Sequence, residues 1–181
     1  MFKIGSLFSG IGGIELGFAQ ASELFHTVWA IEKDHNACDV LYNFPEICLY
    51  ENDVNNVAPE LLEDIDILTA GFPCQAFSVA GYRKGFDDPR GNVFFRILDF
   101  IDVKKPSVLF LENVKNLRGH DKGRTFKIIK SELEKRNYTV YAKVLNTLEY
   151  GGLPQNRERI YIIGFSDRNT ALKFSFPEKI P

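Results

Sequence analysis

Cysteine is scarce in these 181 residues: there are three, Cys38, Cys48 and Cys74, and no two of them stand in a CxxC spacing. An odd number cannot pair completely, so neither a disulfide framework nor a structural zinc site is expected, and no other metal site is read. Long apolar runs are lacking too. The apolar stretch nearest the N-terminus, Ile4 to Ala19, is broken by five glycines and by Glu15, and no small-residue cleavage site follows it. That excludes a signal peptide and a membrane span and places the chain in the cytosol. An excess of positive charge is also missing, because 22 Lys and Arg face 24 Asp and Glu. The field of a cationic coat protein is thereby excluded, although a local basic groove is not. There is no internal repeat and no low-complexity tract.

What is present is enough apolar residue, 45%, to bury a core in one domain. Strand-length apolar runs alternate with helical patterns, which predicts an α/β domain with a mostly parallel sheet. Strands are expected at Lys3–Phe8, Thr27–Glu32, Ile47–Tyr50, Asp66–Ala70 and Pro106–Leu111, and helices at Gly13–Leu24, Asp34–Phe44, Asn92–Val103 and Arg124–Lys135. Tyr138–Leu145 and Arg159–Phe165 alternate around Gly151 and Gly152, as an antiparallel pair closing one edge would. Residues 75–91 form a long glycine-containing connection with polar neighbours, a candidate lid. Periodicity fades over Asp167–Pro181.

The turn Phe8-Ser9-Gly10-Ile11-Gly12-Gly13 joins the first strand to the first helix, where backbone N–H groups can approach a ligand. Glu32 follows Gly10 by 22 residues at the end of the second strand, the place of a carboxylate that accepts ribose hydroxyls. Glu15 stands where a dinucleotide fingerprint needs a small residue, so the reading moves to a nucleoside ligand without phosphates, such as S-adenosylmethionine. Asp53, after the third strand, can reach an adenine amino group or cap a turn. Cys74 follows a buried strand in Gly71-Phe72-Pro73-Cys74-Gln75 at the carboxyl edge of the sheet, where open α/β folds hold ligands. Alone, a cysteine there is a nucleophile or an inert thiol, and Cys38 and Cys48 are read as inert. Glu112 ends another apolar strand and is either a proton donor of raised pKa or a helix cap. Arg157 and Arg159 alternate with Glu158 and share one face of the last strand, which by itself also fits a solvated strand start.

Taken in order, these motifs resemble the cytosine-C5 DNA methyltransferases. The resemblance runs from residue 3 to about 165 and is carried by Phe8–Gly13, Gly71–Ser78, Asp88-Pro89-Arg90-Gly91, Glu112-Asn113-Val114 and Gln155-Asn156-Arg157-Glu158-Arg159. It implies a Rossmann-like S-adenosylmethionine-dependent methyltransferase fold, mostly parallel with an antiparallel C-terminal hairpin. It further implies methyl transfer to C5 of cytosine in DNA, with S-adenosylhomocysteine as product. Cys74 would add to C6, Glu112 would protonate or hydrogen-bond N3, Arg159 with Arg157 would hold O2, and Asn113 would fix the Glu112 segment. Phe8 would stack on adenine within the Ser9-Gly10-Ile11-Gly12-Gly13 cradle, Glu32 would bind ribose, Asp53 and Val54 would line the base pocket, and Pro73 is counted with the cofactor. Gln75, Ser78 and Arg90 would face DNA, whose target base must be flipped out of the duplex.

Two departures from the family pattern stand out. Ser6 replaces an aspartate common in the family. The target-recognition domain and terminal helix are not found in residues 1–181, which reads as an incomplete catalytic domain. The expectation is therefore a restriction–modification catalytic subunit in the cytoplasm of a bacterium or archaeon, associated with the nucleoid, with a second polypeptide supplying recognition and the C-terminal helix. The rivals are a transfer-RNA cytosine methyltransferase and an inactive cofactor-binding scaffold. Residues 115–136 hold eight cations against three acids and can touch phosphates or form a solvated face.

Overall fold

The computed structural model describes residues 1–73 and 93–180. Among these, seven strands and their helices alternate as an α/β fold, and two compact units are distinguished.

The first unit comprises Met1–Phe72 and Val93–Leu109. Its strands β1 (Phe2–Leu7), β2 (Phe25–Glu32), β3 (Cys48–Glu51) and β4 (Ile67–Gly71) lie in the order β3-β2-β1-β4, and every pairing is parallel. The chain thus builds outward from β1 first to one side and then to the other, and such a reversal leaves a crevice beyond the strands' carboxyl ends. β1 delivers the turn after Leu7 to that edge. The strands are nearly continuous apolar runs because helices cover parallel sheets on both faces. Helix α1 (Gly13–Ala21) begins at Gly12 and stops short of the expected Leu24, since Ser22 is extended and Phe25 already pairs with Phe2 in β2. Helix α2 (His35–Leu41) is capped by Asp34, whose side chain accepts the Ala37 N–H at 3.0 Å. Helix α3 (Val93–Lys104) buries Phe94, Ile97, Leu98 and Ile101, the one-sided stripe its sequence spacing predicts. The core is closed by Trp29, which is 1% exposed and stacks 6.1 Å from Phe100. Gly5 is required beneath it, because a Cβ there would come 2.1 Å from the Trp29 ring.

The second unit includes the chain from Phe110 onward. Strand β5 (Val108–Val114) runs three residues beyond its expected end, so Glu112 and Asn113 sit within the strand and not on a helix cap. Leu111 and Asn113 point to the buried face and Phe110 and Glu112 to the half-buried one. Helix α4 (Arg124–Lys135) matches its expected bounds and buries Thr125, Ile129 and Leu133 at a spacing of four. In this unit β5 is followed across the sheet by β7 (Glu158–Phe165) and then β6 (Thr139–Asn146). The β6–β7 pairing is antiparallel from Thr139 opposite Phe165 to Asn146 opposite Glu158, as expected. The connection is longer than a tight hairpin and contains a helical turn, Thr147–Tyr150, before Gly151. The C-terminal stretch, where periodicity had faded, is packed: Phe174 lies 5.5 Å from Tyr141, 5.2 Å from Phe165 and 5.0 Å from Phe176, ring to ring. Single aromatic anchors hold it, and these leave no periodic trace. No helix among the described residues is long and apolar enough to cross a membrane.

Candidate active site

The first unit carries the turn between β1 and α1. Phe8 has φ 56°, Gly10 φ 55° and Gly12 φ 84°. For Phe8 this left-handed conformation costs about 1–2 kcal/mol, a strain of the kind held at ligand sites. At Gly12 a Cβ would also meet Leu41 Cδ2 at 2.9 Å, whereas at Gly10 and Gly13 it would find open space. The turn is therefore glycine-rich for two reasons, packing beneath it and clearance above it.

Glu32 anchors this turn. Its Oε2 accepts the Gly10 N–H at 2.8 Å, and its Oε1 accepts those of Lys33 and Asp34, each at 2.8 Å. Three backbone donors fix the carboxylate at the end of β2. Asp53 caps a turn, as one of its two expected parts has it: its Oδ1 accepts the Asn55 N–H at 3.0 Å at the start of Val54–Asn56. That N–H holds its carboxyl below the usual range, and Lys33 Nζ stands 3.4 Å from Oδ2. Val54 is 4% exposed and Ile11 63% exposed. Pro73 is exposed at the end of a described stretch.

Sequence reasoning missed Glu15 as a site residue. It had been read only as an obstacle to pyrophosphate, yet the structure buries it to 3% exposure in the first turn of α1. Ser6 Oγ donates to Glu15 Oε1, and Ser9 Oγ donates to Ser6 Oγ at 2.8 Å. Glu15 Oε2 is buried with no hydrogen-bond partner among the described residues. Burial pushes the carboxyl up, more than the Ser6 hydrogen bond lowers it. The signal was available as an acid inside an apolar run, one turn from a serine at a strand end.

A nucleoside carrying a sulfonium and an amino-acid end fits these residues: the clearance at Gly10 and Gly13, the fixed Glu32 carboxylate and an orphaned buried carboxyl oxygen suit a ligand with hydroxyls and positive charge.

The second unit carries the other set. Arg159 Nε lies 2.9 Å from Glu112 Oε1, and the two side chains are 22% and 19% exposed. On the same face Phe110 and Tyr161 pack at 5.6 Å and wall the pair. Burial raises the Glu112 carboxyl above its usual range, outweighing the opposing Arg159 and Arg157. A carboxyl so placed keeps its proton to a higher pH than a free glutamate and can act as a proton donor. Asn113 is 2% exposed, and its Oδ1 accepts the Val114 N–H at 2.8 Å, which stiffens the strand end behind Glu112. Arg157 is exposed, and its carbonyl accepts the Thr147 N–H at 3.0 Å and the Thr147 hydroxyl at 3.1 Å. Lys115, unassigned from sequence, pairs with Glu158. Cys38 is fully buried and burial pushes its thiol up to about 11, away from the thiolate form, while Cys48 is exposed. Cys74, Gln75, Ser78 and Arg90, with the candidate lid, lie outside the described residues.

The strand order and the two side-chain sets define a Rossmann-like α/β domain of the methyltransferase type. The chain belongs to the C-5 cytosine-specific DNA methylase family, whose model matches residues 2–181. It is 50% identical over 182 residues to the Type II methyltransferase M.Bsp6I of Bacillus sp. (strain RFL6), covering 100% of this chain and 58% of the relative. It is 50% identical over 183 residues to the Type II methyltransferase M.NgoBI of Neisseria gonorrhoeae, covering 99% of this chain and 55% of that one. The fold is shared with a DNMT2 mutant of Spodoptera frugiperda at a TM-score of 0.78 and 24% identity, over 98% of this chain and 53% of that one. The chain thus spans little more than half the length of the proteins it matches.

Proposed function

We propose that this chain transfers a methyl group from S-adenosylmethionine to C5 of cytosine in DNA, as the catalytic part of a restriction–modification methyltransferase. The observation that carries the reading is the Glu112–Arg159 pair, a half-buried carboxyl of raised pKa held by a guanidinium at 2.9 Å. Cytosine C5 is a poor nucleophile until a group adds at C6. The Cys74 thiolate forms a bond to C6 as Glu112 donates its proton to N3, and Arg159, with Arg157, neutralises charge at O2. Asn113 keeps Glu112 in place. Phe8 to Gly13, Glu32, Asp53, Val54 and Pro73 hold S-adenosylmethionine, which when bound supplies an electrophilic methyl group on a sulfonium. Loss of the C5 proton and breakage of the sulfur–C6 bond then free Cys74 and the methylated base. Gln75, Ser78 and Arg90 face the DNA, and the target cytosine is unstacked at a cost of a few kcal/mol.

The names of the relatives as Type II methyltransferases support DNA as the substrate. We infer that recognition of a particular DNA sequence is supplied by a second polypeptide that also carries a terminal helix. Such an enzyme works in the cytoplasm, at the nucleoid. Duplex DNA carrying 5-fluorocytosine, incubated with S-adenosylmethionine and a separately expressed chain homologous to the rest of the relatives, tests the reading. A covalent adduct mapped by mass spectrometry to Cys74 is expected. An adduct on Cys38 or Cys48, methylation of transfer RNA in place of DNA, or no adduct with any such partner overturns it.

A further inference from the structure

Beside the cofactor turn, one buried carboxyl, that of Glu15, has no assigned use. Glu15 faces Ser6 and, through it, Ser9, and no cation among the described residues pairs with it. The charged group that acts on it through space is another acid, Glu32, which raises its pKa further. An ionised carboxylate only accepts hydrogen bonds. With Glu15 ionised, the Ser6 hydroxyl must donate to it and the Ser9 hydroxyl must donate to Ser6, which is the direction the chain of contacts takes. The lone pairs of Ser9 Oγ are then left outward at the turn, strengthened as acceptors by the chain behind them. Glu15 Oε2, buried and without a partner among the described residues, leaves the carboxyl short of one stabilising contact. A positive ligand at the turn would make up that deficit, and a neutral one would not.

We propose that Glu15 is a positioning residue that makes the cofactor turn prefer positively charged adenosyl ligands, acting through Ser6 and Ser9. The inference rests on the S-adenosylmethionine reading above and extends it to a discrimination. The donor carries a sulfonium and the demethylated product a neutral thioether, so Glu15 favours the donor over its own product. In a domain that must release product before reloading, this charge difference acts where the two ligands differ most. It also assigns a purpose to Ser6, which carries no charge of its own and links the Glu15 carboxyl on the helix side of the turn to Ser9.

The test is binding and not turnover. Dissociation constants of the full chain are measured by calorimetry for S-adenosylmethionine, for sinefungin, whose amine replaces the methylsulfonium, and for S-adenosylhomocysteine. Glu15→Gln keeps the shape and removes the charge. It is expected to weaken the two cationic ligands by about tenfold and S-adenosylhomocysteine by less than about twofold. Ser6→Ala, which interrupts the relay while leaving Glu15 in place, is expected to shift the same ratio in the same direction and serves if Glu15→Gln fails to fold. Equal weakening of all three ligands, or no change in any, overturns the role of Glu15 while leaving the cofactor reading intact. A wild-type chain that binds none of the three removes that reading, and the inference falls with it.

Discussion

Replacing Glu112 by Gln should make the protein more stable and less active. The carboxyl is 19% exposed, and burial raises its pKa despite Arg159 at 2.9 Å, so in the folded state its ionised form is less favourable than in the unfolded chain. The sign follows from linkage. A group whose pKa is raised on folding contributes most stability below its unfolded pKa and loses that contribution as pH rises through its folded pKa. At pH 8 the wild-type protein therefore carries the full penalty of an ionised, half-desolvated Glu112. Glutamine has the same shape, no charge, and a carbonyl that can still accept from Arg159. After discounting for screening at a site open to solvent on one side, the gain is about 1 kcal/mol. For a chain of this length that is a rise in melting temperature of about 2–4 °C.

At pH 4 the wild-type carboxyl is largely protonated and resembles glutamine, so the difference between the two proteins should shrink toward zero. Thermal melts followed by circular dichroism at pH 8, 6 and 4 measure this directly. The comparison cancels Glu15, whose pKa is also raised and which both proteins share. If Glu112→Gln melts below the wild type at pH 8, or if the gap fails to narrow on acidification, then the Arg159 ion pair outweighs desolvation and Glu112 is not poised as a proton donor. Methyl transfer by the variant should fall by at least about 10²-fold, the usual contribution of a positioned acid.

Two further perturbations test the frame that holds these groups. Gly5→Ala places a Cβ about where the Trp29 ring stands, and Trp29 cannot retreat because its Nε1 is held by the Glu63 carbonyl at 3.0 Å. A loss of about 3 kcal/mol is expected, read as a fall of about 6–12 °C in melting temperature. Phe174→Ala removes three aromatic contacts from the C-terminal stretch and should cost about 2 kcal/mol. Hydrogen exchange at Ile180, whose N–H donates to the Glu149 carbonyl at 2.9 Å, should quicken selectively in that variant.

The elements that were legible in the sequence are those whose signal is repeated along the element itself. The stripe of α4 recurs every four residues from Thr125 to Leu133, and its bounds were read without error. The parallel strands announced themselves as apolar runs, because both of their faces are covered. Boundaries failed where a single residue's surroundings decide them. Helix α1 ends at Ala21 because the chain must turn to bring Phe25 beside Phe2, a long-range demand that no local pattern states. The strand end at Glu112 failed for a related reason. A carboxylate interrupts an apolar run and looks like a terminus, but β5 continues because Arg159 on the neighbouring strand satisfies that carboxylate in place.

The same logic separates the acids of the cofactor turn. The position of Glu32 at the end of β2 was legible in its spacing from Gly10, whereas the Gly10 N–H that its carboxylate accepts was not read from the sequence. Glu15 was not legible, because its meaning depends on Ser6, nine residues away on another element, and the two were read separately as departures from familiar patterns. Each departure is unfavourable alone: a serine removes a charge from the strand, and a glutamate buries one in the helix. Their costs are offset in part when the helix carboxyl is seen to reach the strand hydroxyl. A pair that breaks two local rules in compensating directions, beside a ligand turn, is therefore a sharper pointer to function than either residue obeying its rule would have been.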